Sequence, residues 1–574
     1  MHVAKSLGSL AMVAFIVTGC ATTPSRGAVD GGADGARSAS GPKRMTIGLR
    51  GDPPSMARER TNPSGSVSSV PGLDALQQLL HVGLVHANYH GELLPLLAEN
   101  VPTVDNGLWQ VQSDGQMVTT WKIKEGASWQ DGHPFTTDDL LFTLSVDQDP
   151  DVGFARNNVH SLIDHVDAPD ARTVVVTWSH PYIEADLLFS EEVVLPLPKH
   201  LLERAYTEDK ANFLGVPYWS SEYVGTGPFK VRDWVLDSHI VAEANPKYIL
   251  GRPRIDEIEV RFIQDPTTLA ANLLSGADLT IGRALSLDQA LQIKDQWNGT
   301  WVLTTRAWTP INVQFVNSNP AVVTNLRFRQ AMLHALDRQQ LVDSIMAGQS
   351  QISYTWVNPS IPEYQAIQDS IVKYDFDIRR AAQLVEGLGY RKGSDGYYLD
   401  GSGQRLTVEL RTTVQNAIHP PTTAAVANAW EQLGVGVDQN LVSPQLAQDR
   451  EYRAQFPAFE LVQTGNTLTS AGIRRYLSTS AALPENHFAG GGNNSRYSNP
   501  DLDEAINRYL TTIPKSERNR ALAQVVNIQT SQLSMLPLFY STEPTMVSNR
   551  LKNVTGRGDV ANEPWNAEEW DIVS

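Results

Sequence analysis

One cysteine occurs in 574 residues. A single thiol cannot build a disulfide framework, a Cys-based zinc site or an iron–sulfur cluster. Positive charge is also scarce: 46 Lys and Arg stand against 63 Asp and Glu, a formal net charge of −17. Such a surface repels phosphate backbones, which argues against general nucleic-acid binding. No apolar run in the body of the chain is long and charge-free enough to span a hydrocarbon core of about 30 Å. The usual catalytic spacings are missing: there is no HExxH, no GxSxG elbow, no Walker loop and no GxGxxG after a strand. What the chain does have is 41% hydrophobic and 19% charged residues, enough to fill a core and to exclude a disordered polymer.

The position of the lone cysteine is informative. Lys5 gives the N-terminus a positive charge, Leu7 to Val17 are uncharged and mostly apolar, and Val17-Thr18-Gly19-Cys20 follow. The apolar stretch is too short to span a bilayer and reads as a secretory leader over 1–19. Its end resembles a bacterial lipobox, in which the Cys20 thiol takes a diacylglycerol and cleavage leaves Cys20 first. Two or three acyl chains hold firmly, because each buried methylene contributes about 0.8 kcal/mol and one chain alone is marginal. The alternative is an ordinary signal peptide in which Cys20 falls by chance. Cleavage removes Lys5 and no acid, so −17 becomes −18. Residues 20–44, rich in Gly, Ala and Ser and without aromatics, predict a flexible tether.

Beyond the tether, strands alternate with helices. Residues 45–52 read as a strand opening into a turn at Pro53-Pro54, and Leu73 to Val85 carry a helical pattern. Strand-like segments at 117–124 and 173–179 flank a helix from Thr137, with Thr136 or Thr137 as its cap and Asp138 and Asp139 in its first turn. Further helices are expected from Thr267 and Asn325, then at 377–388, 420–433, 500–511 and 515–533, with strands at 405–411 and 458–463. This mixture predicts an α/β fold with mainly parallel or mixed sheets.

Candidate chemistry is sparse. His81, His86 and His90 fall at spacings of five and four, but the helix carrying them should end near Gly83, which favours packing and surface roles over metal ligation. Asp138-Asp139 and Glu191-Glu192 read as helix starts or solvated faces. Arg50-Gly51-Asp52 spells an adhesion tripeptide that short chance matches also produce. No catalytic residue, metal ligand or cofactor is expected.

A series of motifs does stand out: residues 45–56 (MTIGLRGDPPSM), 83–104, 121–144 (WKIKEGASWQDGHPFTTDDLLFTL), 225–234 (GTGPFKVRDW), 243–268, 326–349, 374–390 and 535–544 (MLPLFYSTEP). Taken in this order over 45–574, they resemble the extracytoplasmic solute-binding proteins, family 5, that deliver peptides and nickel to ABC importers. Most of these residues read as scaffold: Gly126, Asp131 and Gly132 as turns, Trp121 and Trp129 as packing. Gly225 and Gly227 suit φ > 0 or a close backbone approach.

The resemblance implies a two-lobed, periplasmic-binding-protein-like fold of type II, with two crossing strands near 311–319 and 536–544. Lobe I would comprise 45–82, 187–310 and 540–574, with an additional α/β subdomain at 83–186; lobe II would be 311–539. It implies a monomer that is extracytoplasmic and lipid-anchored, in the periplasm or on the outer face of the cell membrane. Its partners would be a peptide or other polar solute and the membrane permease, with no nucleic acid. A ligand receptor of the same fold and a lipoprotein hydrolase are the alternatives.

The family's peptide binders place an acid in a Trp-x-x-Asp stretch after the strand corresponding to 458–463, where it pairs with the peptide amine. Here no Asp or Glu occurs between Glu460 and Glu485. The anchor has moved, with Asp52 as a candidate, or the ligand carries no free amine there: a modified peptide, an oligosaccharide or another polar molecule. Thr464, Asn466 and Thr467 suit neutral hydrogen bonding. Arg474 and Arg475 could meet an anion, with surface or salt-bridge roles as the alternative. Expected ligand contacts are Asp52, Ser55, Thr226, Trp308, Trp356, Thr464 and Asn466, the tryptophans as aromatic walls.

Overall fold

The computed structural model describes residues 41–57, 70–113, 115–152, 158–414, 416–556 and 563–573. Cys20, the leader and nearly all of the expected tether lie outside the described residues. No described helix is long and apolar enough to cross a membrane.

Strand β1 (Arg44–Leu49) leads to helix α1 (Leu73–Leu80). An antiparallel sheet follows, built from β2 (Trp109–Val111), β3 (Met117–Lys122), β4 (Ile163–Asp170) and β5 (Thr173–Trp178) in the order β2-β3-β5-β4. Between β3 and β4 lies α2 (Thr137–Gln148), capped as its sequence predicts: Thr136 N donates to Asp139 Oδ2 at 3.0 Å. Asp139 Oδ1 also accepts from Lys199 N at 3.0 Å, so the cap fastens a second segment. Trp121, Trp129 and Trp178 are fully buried here. Burying large apolar side chains contributes about 1.5–3 kcal/mol each.

The chain then forms β6 (Phe229–Val235), β7 (His239–Ala244), β8 (Glu257–Phe262), α3 (Pro266–Leu274), β9 (Leu279–Ile281) and the long β10 (Gly299–Val313). Helices α4 (Leu326–His334), α5 (Ile378–Glu386) and α6 (His419–Leu433) surround β11 (Thr407–Thr413), β12 (Gly436–Val442) and β13 (Phe459–Leu461). The short β14 (Thr464–Gly465), α7 (Ser470–Arg474), α8 (Pro500–Thr511), α9 (Lys515–Gln532) and a second long strand, β15 (Met535–Ser548), complete the frame.

These strands make one mixed sheet in the order β12-β11-β13-β10-β15-β9-β1-β8-β7-β6, with β14 added on β10. On one side β1 pairs in parallel with both β8 and β9; on the other, β11 pairs in parallel with β12 and β13. Only β10 and β15 run through both halves. They pair antiparallel from Gly299↔Ser548 to Asn312↔Met535, with irregularities at Thr305/Ala307 and Thr309/Pro310. The first crossing strand thus begins at Gly299, ahead of the 311–319 segment expected, and ends at Val313.

Separate cores lie under the two halves. One gathers Ile47, Leu76, Ile240 and Ile258; the other gathers Ile311, Phe328, Leu410 and Trp430. A third joins the small sheet to α8 and α9 and includes Trp308 and Trp356. Polar contacts reinforce this third contact, for the Glu184 carboxylate accepts from Ser470 N at 2.5 Å.

Candidate functional site

The expected contact residues divide into two groups. The first belongs to the β1 half. Asp52 follows β1 and accepts from Gln264 Nε2 at 3.4 Å. Partial burial and the neighbouring Asp237 raise its carboxyl above the ordinary aspartate value. Ser55 is buried, and its Oγ accepts from Ala57 N at 3.1 Å.

Thr226 is buried in a tight clasp. Its hydroxyl donates to Val82 O at 2.5 Å and accepts from Val82 N at 3.1 Å, while Thr226 N donates to His81 Nδ1 at 3.2 Å. The other ring nitrogen of His81, Nε2, donates to Pro196 O at 2.8 Å. Burial lowers the His81 pKa to about 4, so the ring is a neutral packing residue stacked 5.6 Å from Trp129. Gln130 completes the clasp, donating to Leu80 O at 2.8 Å and Phe229 O at 2.6 Å and accepting from Gly225 N at 2.9 Å. A Cβ on Gly225 would lie 2.1 Å from Leu80 O, which explains the glycine. The Thr226 hydroxyl is therefore occupied by the protein itself.

His86 lies in a short strand with its ring 5.9 Å from Trp565, and the His90 ring lies 3.6 Å from Tyr89. His81 lies apart from this pair, whereas His86 and His90 belong to one aromatic group, in which the Tyr89 ring lies 6.1 Å from that of Trp565.

The second group does converge. Trp308 on β10 pairs with Thr464 on β14. Beside them, a cavity of about 250 Å³ is lined by Thr464, Arg475, Tyr476, Tyr497, Gln529 and Ser534, together with Asn312, Arg453 and the loop around Asn493. A much smaller cavity of about 20 Å³ adjoins it, sharing Gln529, Ser534 and Met535 and adding Trp308 and Trp356. Trp356 Nε1 donates to Gln529 Oε1 at 2.8 Å, and its ring sits 5.4 Å from that of Tyr476. Arg475 Nη1 donates to Thr464 Oγ1. Asn466 is buried, donates to Thr305 O at 3.3 Å and lines neither cavity. Asp52, Ser55 and Thr226 line neither cavity.

The electrostatics of this region are one-sided. Glu460, the last acid before the anchorless stretch, is buried between Arg411 at 3.1 Å and Arg453 at 3.2 Å. Its single negative charge is shared between two cationic neighbours, which leaves the trio net positive, and none of the cavity-lining residues is acidic. Burial pushes the Tyr476 hydroxyl up to about 12, so it stays protonated as a donor. Sequence reasoning did not single out Tyr476, Gln529 or Ser534. They meet Thr464 only in space, across separate helices and strands, and no spacing in the chain marks them.

Comparison with known proteins gives the arrangement a family. The model of the bacterial extracellular solute-binding proteins, family 5, middle region, matches residues 92–482. A Brucella melitensis ABC transporter peptide-binding protein is 25% identical over 479 residues, covering 80% of this chain and 83% of its own length. Among solved structures, the substrate-binding protein CtaP of Listeria monocytogenes aligns with a TM-score of 0.73 at 19% identity, over 93% of this chain and 100% of its own. The oligopeptide-binding protein AppA of Bacillus subtilis, in complex with a nonapeptide, aligns with a TM-score of 0.65 at 19% identity, again over 93% and 100%. The structural likeness establishes the two-lobed type II fold. With the family model covering more than half of its length, the chain belongs to the bacterial extracellular solute-binding proteins of family 5.

Proposed function

We propose that this chain is the solute-capturing lipoprotein of an ABC importer, anchored through Cys20. It binds a peptide or similar polar solute between its lobes and hands it to the membrane permease. The observation that carries this reading is the pair of long strands β10 and β15, shared by both halves of the sheet in a chain of this family. Two such strands form a hinge about which lobes close over a ligand. Capture of this kind makes and breaks no bond. The peptide part of the reading draws on the relatives, one named as peptide-binding and one solved with a nonapeptide.

A thermal-shift screen tests it, with di- to pentapeptides set against neutral oligosaccharides. A ligand that binds only the native state stabilises it by RT ln(1 + [L]/Kd), about 2.7 kcal/mol at a hundredfold excess over Kd. Peptides are expected to raise the melting temperature. If sugars alone do so, the peptide assignment fails while the family assignment stands.

A further inference from the structure

Arg475 differs from the other cation lining the larger cavity. Arg453 is paired with Glu460, whereas no carboxylate among the described residues lies within 4.0 Å of Arg475. Its side-chain partner is neutral, the Thr464 hydroxyl. The neighbouring Arg474 is exposed, while Arg475 is turned into the cavity wall.

Several buried groups around this cation lack partners. Arg475 Nε, the Tyr476 hydroxyl and Gln529 Nε2 are buried without a hydrogen-bond partner, and Trp308 Nε1 is in the same state at the adjoining small cavity. Gln529 is 5% exposed and Trp308 is 2% exposed. Such donors carry the full desolvation cost unless an acceptor reaches them. Three of the four are N–H groups, which only donate. An ammonium group would meet an uncompensated guanidinium here and be repelled. A carboxylate accepts only, and it matches a guanidinium in charge and shape.

We propose that this cavity is a carboxylate-binding subsite, in which Arg475 anchors an acidic group of the solute. Tyr476 and Gln529 supply the adjoining donors. The acidic group belongs to a small organic acid or to a peptide, as its C-terminus or an acidic side chain. A volume of about 250 Å³ holds one such group or one small molecule; it falls below the roughly 300 Å³ at which whole drug-sized ligands begin to fit. The lost amine anchor and the unpaired arginine then have one explanation: the polarity of the anchor is reversed. The proposal rests on the reading of the chain as a solute-binding protein that takes its solute at this site.

The test uses the full mature chain and calorimetric titration with chemically paired probes. These are tetra-alanine as free acid, C-amidated and N-acetylated, together with succinate, citrate and neutral maltotriose. At least one free acid is expected to bind. For a peptide ligand, amidation costs about ten- to hundredfold in affinity and acetylation less than threefold. Binding of succinate or citrate without the peptides identifies a small organic acid as the source. R475Q is expected to lose a similar ten- to hundredfold toward the acid, with R475K intermediate and R474Q unchanged. Should R475Q fail to fold, the amidated probe and R475K still decide. The proposal is overturned if amidation is harmless while acetylation abolishes binding, which restores an amine anchor. It is equally overturned if only maltotriose binds, an outcome that leaves solute binding itself intact. Silence from every probe counts against both.

Discussion

The clasp around Thr226 and the cavity beside Thr464 are both buried, polar and built from residues distant in sequence, yet they are finished differently. In the clasp, the Thr226 hydroxyl, both His81 ring nitrogens and the Gln130 amide are paired within the chain. Around the cavity, donors on Arg475, Tyr476 and Gln529 are left over. A buried polar group that is fully paired holds a fold together, and one left open costs stability until something else pairs it. The motif with the clearer sequence signature, Gly225-Thr226-Gly227, is thus the scaffold, and the stretch that departs from its family's pattern carries the open chemistry.

Breaking the clasp should hurt stability most at Gly225. G225A drives a Cβ against Leu80 O, where the ideal position lies 2.1 Å away. Overpacking against rigid backbone is expected to cost about 3 kcal/mol, read as a lower urea midpoint. The next largest effect is a pH dependence at His81. Burial holds its folded pKa at about 4, below the ordinary 6.5. The unfolded chain therefore takes up the proton first. Stability from this neutral ring is complete above pH 6.5, falls as the pH drops from 6.5 toward 4, and levels off below. The loss is on the order of 3 kcal/mol. H81Q, weaker at neutral pH, should show a flatter profile across that window; an unchanged slope would sink this account.

Third, T226V removes a hydroxyl that both donates and accepts and strands two backbone groups of Val82, an expected loss of about 2 kcal/mol. The smallest effect is the sharpest contrast. Y476F deletes a buried hydroxyl that has no partner, so the ligand-free protein should keep its stability or gain up to about 1 kcal/mol. If Y476F destabilises as much as T226V, the two regions are alike and the distinction between them falls.

Much of the frame was legible from local rules. Thr136 or Thr137 beside Asp138-Asp139 marked a cap, and Thr136 fills it. The helix expected at 377–388 forms over Ile378–Glu386, and that at 420–433 over His419–Leu433, with Gly434 in the left-handed conformation closing it. Such signals are written within a few neighbouring residues. The cavity is not, for its walls come from β10, β14, the turn after α7, α9 and the start of β15. Arg474 and Arg475 show the limit plainly: adjacent and identical in type, they differ only in the direction the end of a five-residue helix points them. Thr226 was chosen as a contact from its glycine-flanked loop, yet the same close approach that demands those glycines lets the backbone of Val82 use up its hydroxyl.

The two long strands also set where bending is cheapest. Their ladder is regular from Gly299 to Thr305, and both of its irregularities fall between Thr305 and Pro310. Bulges interrupt hydrogen bonding and add local twist, so this short stretch is the compliant section of an otherwise stiff beam. Trp308 lies within it and forms part of the wall shared by the small cavity. On the proposed reading, a solute in the larger cavity would sit beside this fulcrum, because its wall residue Thr464 pairs with Trp308.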